Sequence, residues 1–334
     1  MQSTAAQWNR RLAPYVGADH RRSIGQLILT LALFATNITA AHIAYAACWV
    51  VSLPFSFVAG LLIVRLFVIQ HDCGHRSFFR NATACDWTGR ALSLFTLTPY
   101  GYWRRDHNKH HATSGDLDRR GSGDIDTLTV REYNDLSRRA KLYYRLYRHP
   151  IVLFGFGPVW QFLLRYRLPI GLGNVQRSRM VGSILLHDAA LVSFFCGMAW
   201  ILGPAAVAAV WLPAVMAAST VGVWLFYVQH QFEGTYWERH LEWSFVDAAL
   251  SGCSYYRLPG WLHWLTGNIG YHHIHHLSSR IPNYRLARVF AEVPELREAP
   301  SVGLLESFRY AQLALWCEDR RRLVSFRDAH VVPA

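Results

Sequence analysis

Two long stretches almost free of charge constrain this chain more than anything else in its sequence. From Ser23 to Gln70 the only Asp, Glu, Lys or Arg is Arg65, and from Ile184 to Gln229 it is Asp188. About 20 apolar residues cross a bilayer, so each stretch is long enough to cross twice. Gly203 and Pro204 interrupt the second stretch near its middle, where a helix would turn back. The expectation is four transmembrane helices in two hairpins, at about 24–43, 49–70, 184–202 and 205–229. Buried core hairpins of a soluble α-protein would explain the apolar content, but not the absence of charge over such lengths.

Charge placement gives the same topology independently. The chain carries 34 Lys and Arg against 22 Asp and Glu, a formal charge of +12. Four basic residues precede the first stretch, 18 lie between His71 and Met180, and 11 follow His230, whereas the short connections at 42–48 and around Gly203 have none. By the positive-inside rule both termini and the central segment face the cytoplasm. The expected fold is an all-α integral membrane protein with a cytoplasmic helical cap. Its parts would be an N-terminal segment 1–22, a membrane domain 23–300 and a C-terminal tail 301–334. The first 22 residues show no cleavable-signal pattern, so the first span serves as the insertion signal. A basic cytoplasmic face suits anionic lipid head groups or an acidic protein partner, and no nucleic-acid module is recognisable. The six cysteines form no CxxC pair, so neither a disulfide framework nor a zinc ribbon is implied.

Three boxes supply eight histidines at spacings that suit a metal: His71 and His75 in HDCGH, His107, His110 and His111 in HNKHH, and His272, His275 and His276 in HHIHH. On a helix, spacings of three and four residues bring side chains to one face. Neutral imidazole is the usual nitrogen ligand of iron, zinc, copper or nickel. Eight ligands exceed what one ion holds, so the boxes predict a histidine-rich site for two metals. Two crossings separate the second box from the third, which places all the boxes on one side of the membrane. An odd number of crossings would have separated them.

Several residues could complete such a site. His230, where the fourth span ends, is a candidate ninth ligand. Asn268 lies one helical turn before His272 and could hold a metal-bound water, or be a cap or turn residue. Asp72 and Asp106 adjoin box histidines and could orient an imidazole, or be surface carboxylates. His273 points to a different face from its neighbours, and His187 with Asp188 reads as a structural pair at a span edge. Arg65 is expected to snorkel to the interface or pair with lipid phosphate. The string GDLDRRGSGDID from Gly115 to Asp126 resembles a calcium loop, but Arg120 and Thr127 occupy its fifth and twelfth positions, so it reads as Asx turns. Residues 141–167 read as an interfacial helix pair and 91–100 as a short re-entrant or interfacial stretch. Tyr102, Trp103, Trp261 and Trp264 are candidate tunnel or interface aromatics.

The three boxes and their positions relative to the spans resemble those of the membrane fatty acid desaturase superfamily. The longer strings HDCGHRSFF, HHATSGDLDRRGSGDIDTLTVREY, YRLYRHP and TGNIGYHHIHHLSSRIPNYRL resemble bacterial acyl-lipid desaturases, including the phospholipid Δ5 and Δ12 (omega-6) types, over about residues 20 to 300. The resemblance implies a multi-pass enzyme of the bacterial inner membrane, with its site and both termini cytoplasmic. It would use two iron ions and O2 to introduce a double bond into the acyl chain of membrane lipids. The implied ligands are His71, His75, His107, His110, His111, His272, His275 and His276, with His230 as the additional histidine. An acyl chain offers no handle for acid–base attack, so an O2-derived oxidant must abstract hydrogen, and specificity follows from where an apolar tunnel holds the chain. No HPGG-type haem-binding module is present, which points to a separate electron donor such as ferredoxin. A hydroxylase or ketolase of acyl chains, alkanes or carotenoids would carry similar boxes. A membrane metal transporter would carry its ligands near mid-membrane, and a zinc hydrolase of the membrane would show HExxH.

Overall fold

The computed structural model describes residues 4–121, 123–170 and 177–331; residues 1–3 and 332–334 of the two expected terminal segments, and Ser122 of the Gly115–Asp126 string, lie outside the described residues. After a short helix α1 (Ala5–Leu12), the first charge-poor stretch forms α2 (His20–Ala47) and α3 (Trp49–Gly74). The Asp19 carboxylate caps α2 by accepting the Arg21 and Arg22 N–H groups, and extended backbone at Cys48 (φ −163°) turns the chain directly into α3. There follow α4 (Ala82–Thr96), α5 (Tyr100–Thr113), strand β1 (Leu128–Thr129), α6 (Val130–Asp135), α7 (Arg138–Tyr147), a π turn at Val152–Phe156, and α8 (Gly157–Leu163). The second charge-poor stretch forms α9 (Arg177–Leu202) and α10 (Pro204–His230), which meet at Gly203 as expected. Pro204 stands at the first position of α10, where its missing N–H costs nothing.

All four long helices contain the predicted ranges and are long and apolar enough to cross a membrane. α3 and α10 are the inner pair, with 61% and 44% of their apolar windows buried, against 17% for each of α2 and α9. A seam of small residues lets the inner pair touch. A Cβ on Gly60 would lie 2.6 Å from the Ala214 carbonyl oxygen and 2.8 Å from the Ala217 Cβ, so only glycine permits this approach. Trp211 of α10 ties in the outer helices through edge-on contacts to Phe34 of α2 and to Phe194 and Phe195 of α9. Each such pair contributes about 1 kcal/mol beyond the area it buries.

Beyond α10 the chain builds α11 (Phe245–Ser251), β2 (Tyr255–Arg257), α12 (Gly260–Leu265), α13 (His272–Leu277), α14 (Asn283–Glu292), β3 (Ser301–Gly303), α15 (Leu304–Tyr310), β4 (Leu313–Cys317) and β5 (Arg322–Ser325). The all-α expectation is corrected here. Among the described residues two small sheets occur, a three-stranded one in the order β1-β4-β5 and a parallel pair β2-β3. Strands of two to five residues leave no usable periodicity, and β1 finds its partner about 190 residues later in the chain.

The described parts of both terminal segments are folded onto the body. Trp8 and Leu12 of α1 are buried against Leu286, Val289 and their neighbours on α14, and Arg11 pairs with Glu295. The segment expected as a tail forms the β4-β5 hairpin, which buries Leu315, Trp316, Leu323 and Val324. Its position is fixed by Arg148, fully enclosed, which donates to the carbonyls of Asp126 and Leu313 and to the Gln231 amide. Arg65 finds partners within the protein: its guanidinium lies 4.1 Å from the Trp264 ring and donates to Thr30 Oγ1 and the Trp264 carbonyl, because α12 folds back against α3 and presents that oxygen.

Candidate metal centre

The nine predicted histidines come from the ends of four helices. His71 and His75 sit at the close of α3, His107, His110 and His111 on one face of α5, His230 is the last residue of α10, and His272, His275 and His276 share one face of α13. α5 is held against α3 by Arg104, which donates to the Gly74 carbonyl at 2.8 Å and to Asp86 at 2.9 Å. α13 is positioned through Gln229, whose amide donates to the Ile269 carbonyl at 2.9 Å, and through Asp72, whose carboxylate accepts the Asn283 N–H at 2.8 Å.

The imidazoles form two groups. Ligand nitrogens of His71, His75, His107, His111 and His275 lie within 4.8 Å of one another, as do those of His110, His230 and His276. His272 joins the second group, its Nε2 lying 2.9 Å from that of His230. His111 and His276 stack face to face with ring centroids 4.0 Å apart and form the wall between the groups. The close pairs, His110–His230, His107–His111 and His111–His275, have Nε2 atoms 3.1 Å apart. Two nitrogens held at about 2.1 Å from one ion and at right angles would be about 3.0 Å apart, so the spacing matches neighbouring ligands of a shared ion.

Electrostatics favour the same reading. Burial pushes the imidazoles of His75, His107, His111, His272, His275 and His276 well below the usual histidine range, with neighbouring imidazoles adding to the effect, so they are neutral donors. His75 Nε2 and His276 Nε2 are buried with no hydrogen-bond partner. A lone pair enclosed in that way is costly unless a cation meets it. The donor set therefore fits two transition-metal ions of the kind imidazole binds, iron, zinc, copper or nickel.

Apolar rings line both groups. Trp103 is buried and stacks on His107 at 4.7 Å, and Phe226 lies 5.1 Å from both His110 and His230. Tyr102 is also buried, whereas Trp261 and Trp264 are exposed. His273 turns to the opposite side, towards Tyr255 and Phe290. Asn268 takes a left-handed turn (φ 57°) and donates its Nδ2 to the Asn283 carbonyl, leaving Oδ1 outside that bond. His187 and Asp188 share Arg167, at 2.8 and 2.6 Å, in a structural cluster.

Neither carboxylate proposed to orient an imidazole holds one in a short hydrogen bond. Asp72 is 3.8 Å from His71 Nδ1 and accepts the Asn283 N–H, and Asp106 lies among Tyr102, Arg105 and Arg165. The orienting group is Asp124, whose carboxylate accepts the Nδ1–H of His110. Asp124 belongs to the string read as Asx turns, and only the three-dimensional path reveals it. At Gly123 (φ 71°) a Cβ would lie 3.2 Å from the Asp106 carbonyl oxygen, so glycine lets the loop press onto α5 and deliver the next residue to His110. Asp116 accepts from the His240 ring, and Asp118 accepts from Arg239 and the His240 N–H. Cys253, also missed, is buried 3.7 Å from His230 Nδ1. A small cavity lined by Asp124, Gln231, Thr235 and Tyr236 reaches His110 and His230.

A family model for fatty acid desaturases matches residues 46–307, which include all nine histidines. The chain belongs to the fatty acid desaturase family. It is an oxidoreductase by that membership. The desaturase is 38% identical to a fatty acid desaturase of Bacillus subtilis, over 98% of its own length and 92% of that protein's. It is 29% identical to an sn-1 acyl-lipid omega-3 desaturase (ferredoxin) of Synechocystis, over 93% and 83%, and 28% identical to an sn-1 oleoyl-lipid 12-desaturase of Picosynechococcus, over 75% and 71%.

Proposed function

We propose that the chain spans a bacterial plasma membrane four times, with its histidines and both termini cytoplasmic, and desaturates the acyl chains of membrane lipids. The observation that carries this reading is the convergence of nine imidazoles, in two groups, at one end of four apolar helices. Large apolar side chains exposed on the outer helices, such as Ile28, Leu186 and Trp200, support a lipid surround. The basic segments flanking the histidines support a cytoplasmic site.

In this reading His71, His75, His107, His111 and His275 hold one iron ion, and His110, His230, His272 and His276 the other, with Asn268 contacting the site through water. Bound iron supplies the activation of O2 needed to oxidise an unactivated methylene pair. The overall change is –CH2–CH2– + O2 + 2 e⁻ + 2 H⁺ → –CH=CH– + 2 H2O. Trp103 and Phe226 keep the groups apolar on the side a hydrocarbon would approach, and Asp124 fixes the tautomer of His110 so that Nε2 is the donor nitrogen. The two electrons come from a separate small acidic protein such as ferredoxin, docked on the basic face.

Expression in a host lacking polyunsaturated lipids, with mass-spectrometric location of double bonds in derivatised fatty acids, tests the reading. New double bonds in phospholipid chains are expected. Hydroxylated chains would favour a hydroxylase instead, and unchanged lipids with a competent donor present would overturn both.

A further inference from the structure

We infer that α12 and α15 together form a lip that seats in the headgroup–acyl boundary of the bilayer, so that part of the segment expected to be a cytoplasmic C-terminal tail binds phospholipid. This inference rests on the four-span reading. The two helices are neighbours because each follows a strand of the β2-β3 pair, in which Tyr256 lies opposite Val302. Between them they expose Trp261 (65%), Trp264 (41%), Leu305 (81%) and Phe308 (58%), while their inner residues Leu262 and Leu304 pack on the core of the long helices.

Depth is what assigns the lip to lipid. Trp264 is bound by Arg65, six residues before His71 on α3. Phe308 stacks at 5.1 Å on Trp224, six residues before His230 on α10. Six residues are about 9 Å of helix, so both short helices hang beside the spans about that far below the histidines. An amphipathic helix lying in a membrane surface buries its apolar face by a similar depth, about 5–10 Å. Trp224 also packs on Phe154 of the π turn at 4.8 Å, and the turn's last residue Phe156 and the preceding Ile151 are exposed. The lip thereby continues an apolar band already running along the body. Arg257, which lies 3.6 Å from Glu306, and Arg309 are exposed at the same edge, where headgroup phosphates would lie.

The test places a fluorescent label at single cysteines, Leu305→Cys or Phe308→Cys, in a chain whose two exposed native cysteines are replaced (Cys48→Ser, Cys196→Ser). The labelled protein is reconstituted into phosphatidylcholine–phosphatidylglycerol vesicles. Quenching by a shallow acyl-chain nitroxide lipid is compared with quenching by aqueous iodide. The lipid quencher is expected to act at least about threefold more strongly than iodide at both positions, given insertion by several ångströms. The order should reverse at Leu241→Cys, a position 98% exposed on the cap. Iodide access at 305 and 308 equal to that at 241 overturns the lip. Ile28→Cys on α2 separates the two readings: protection at 28 with access at 305 and 308 sinks the lip alone, whereas iodide access at 28 sinks the four-span reading and the lip with it.

Discussion

Replacing Asp124 by Ala removes one carboxylate and should weaken one metal ion of two. The hydrogen bond to His110 is nearly sealed from solvent, with the two side chains 9% and 2% exposed. Hydrogen bonds to charged groups are worth about 1.5–3 kcal/mol, which at about 1.4 kcal/mol per decade is roughly 10- to 100-fold in affinity. Loss of an outer partner of a ligating histidine typically weakens metal binding over the same range of about 10- to 100-fold. The effect should be confined to the group of His110, His230, His272 and His276, since Asp124 touches no imidazole of the other. Iron per chain after dialysis against a weak chelator is the first readout, and iron release followed with a coloured chelator the second. The parent should keep two ions and Asp124→Ala about one, with a fast release phase for the other. Asp124→Asn keeps an acceptor oxygen but no charge, so it should fall between them. Iron content and release indistinguishable from the parent in Asp124→Ala would overturn this role of Asp124, because His110 would then need no partner to hold its ring.

His275→Ala and His276→Ala each take a nitrogen from a different group, so both should lower bound iron and reduce desaturated product by roughly 100-fold or more; full product from either would remove that residue from the ligand set. Gly60→Val drives side-chain atoms into the Ala214 carbonyl and should destabilise the fold by about 1–3 kcal/mol, read as a lower melting temperature in detergent. Chelated protein should lose stability as pH falls from about 7 towards 5. Six imidazoles are held below their usual value of 6.5 in the fold, so below that pH the unfolded chain binds protons that the folded one excludes, while above it the term is constant. A melting temperature unchanged between pH 8 and 5.5 would count against neutral buried imidazoles. Turnover with purified ferredoxin and its reductase should slow as salt shortens the Debye length from about 30 to 8 Å; a salt-independent rate would argue against docking on the basic face.

The elements legible in the sequence are those with a local signature. Charge-free length marked the four long helices, and spacings of three and four gathered each box on one helix face. His230 was visible because helix end and histidine coincide. What stayed hidden depends on chain paths that no local pattern encodes. Asp124 reaches His110 only because Gly123 turns a loop back onto α5, Trp264 meets Arg65 across some 200 residues, and Leu128 pairs with Leu315 over a similar distance. Asp72 and Asp106 illustrate the converse. Adjacency in sequence put each next to a box histidine, but on a helix the neighbouring side chain points about 100° away, so Asp72 serves Asn283 and Asp106 sits among Tyr102, Arg105 and Arg165.

In the proposed site every ligand is an imidazole, which binds a metal in its neutral form, so the ligands would bring no negative charge to a pair of cations. The backbone compensates. α3, α5 and α10 all end at the site, with His71, His110, His111 and His230 in their last turns. Each long helix terminus presents the equivalent of about half a negative charge, roughly −1.5 for the three together. That charge is carried by carbonyl dipoles, which no proton can neutralise. Cations held there would be stabilised by a field that stays the same at any pH at which the helices remain folded.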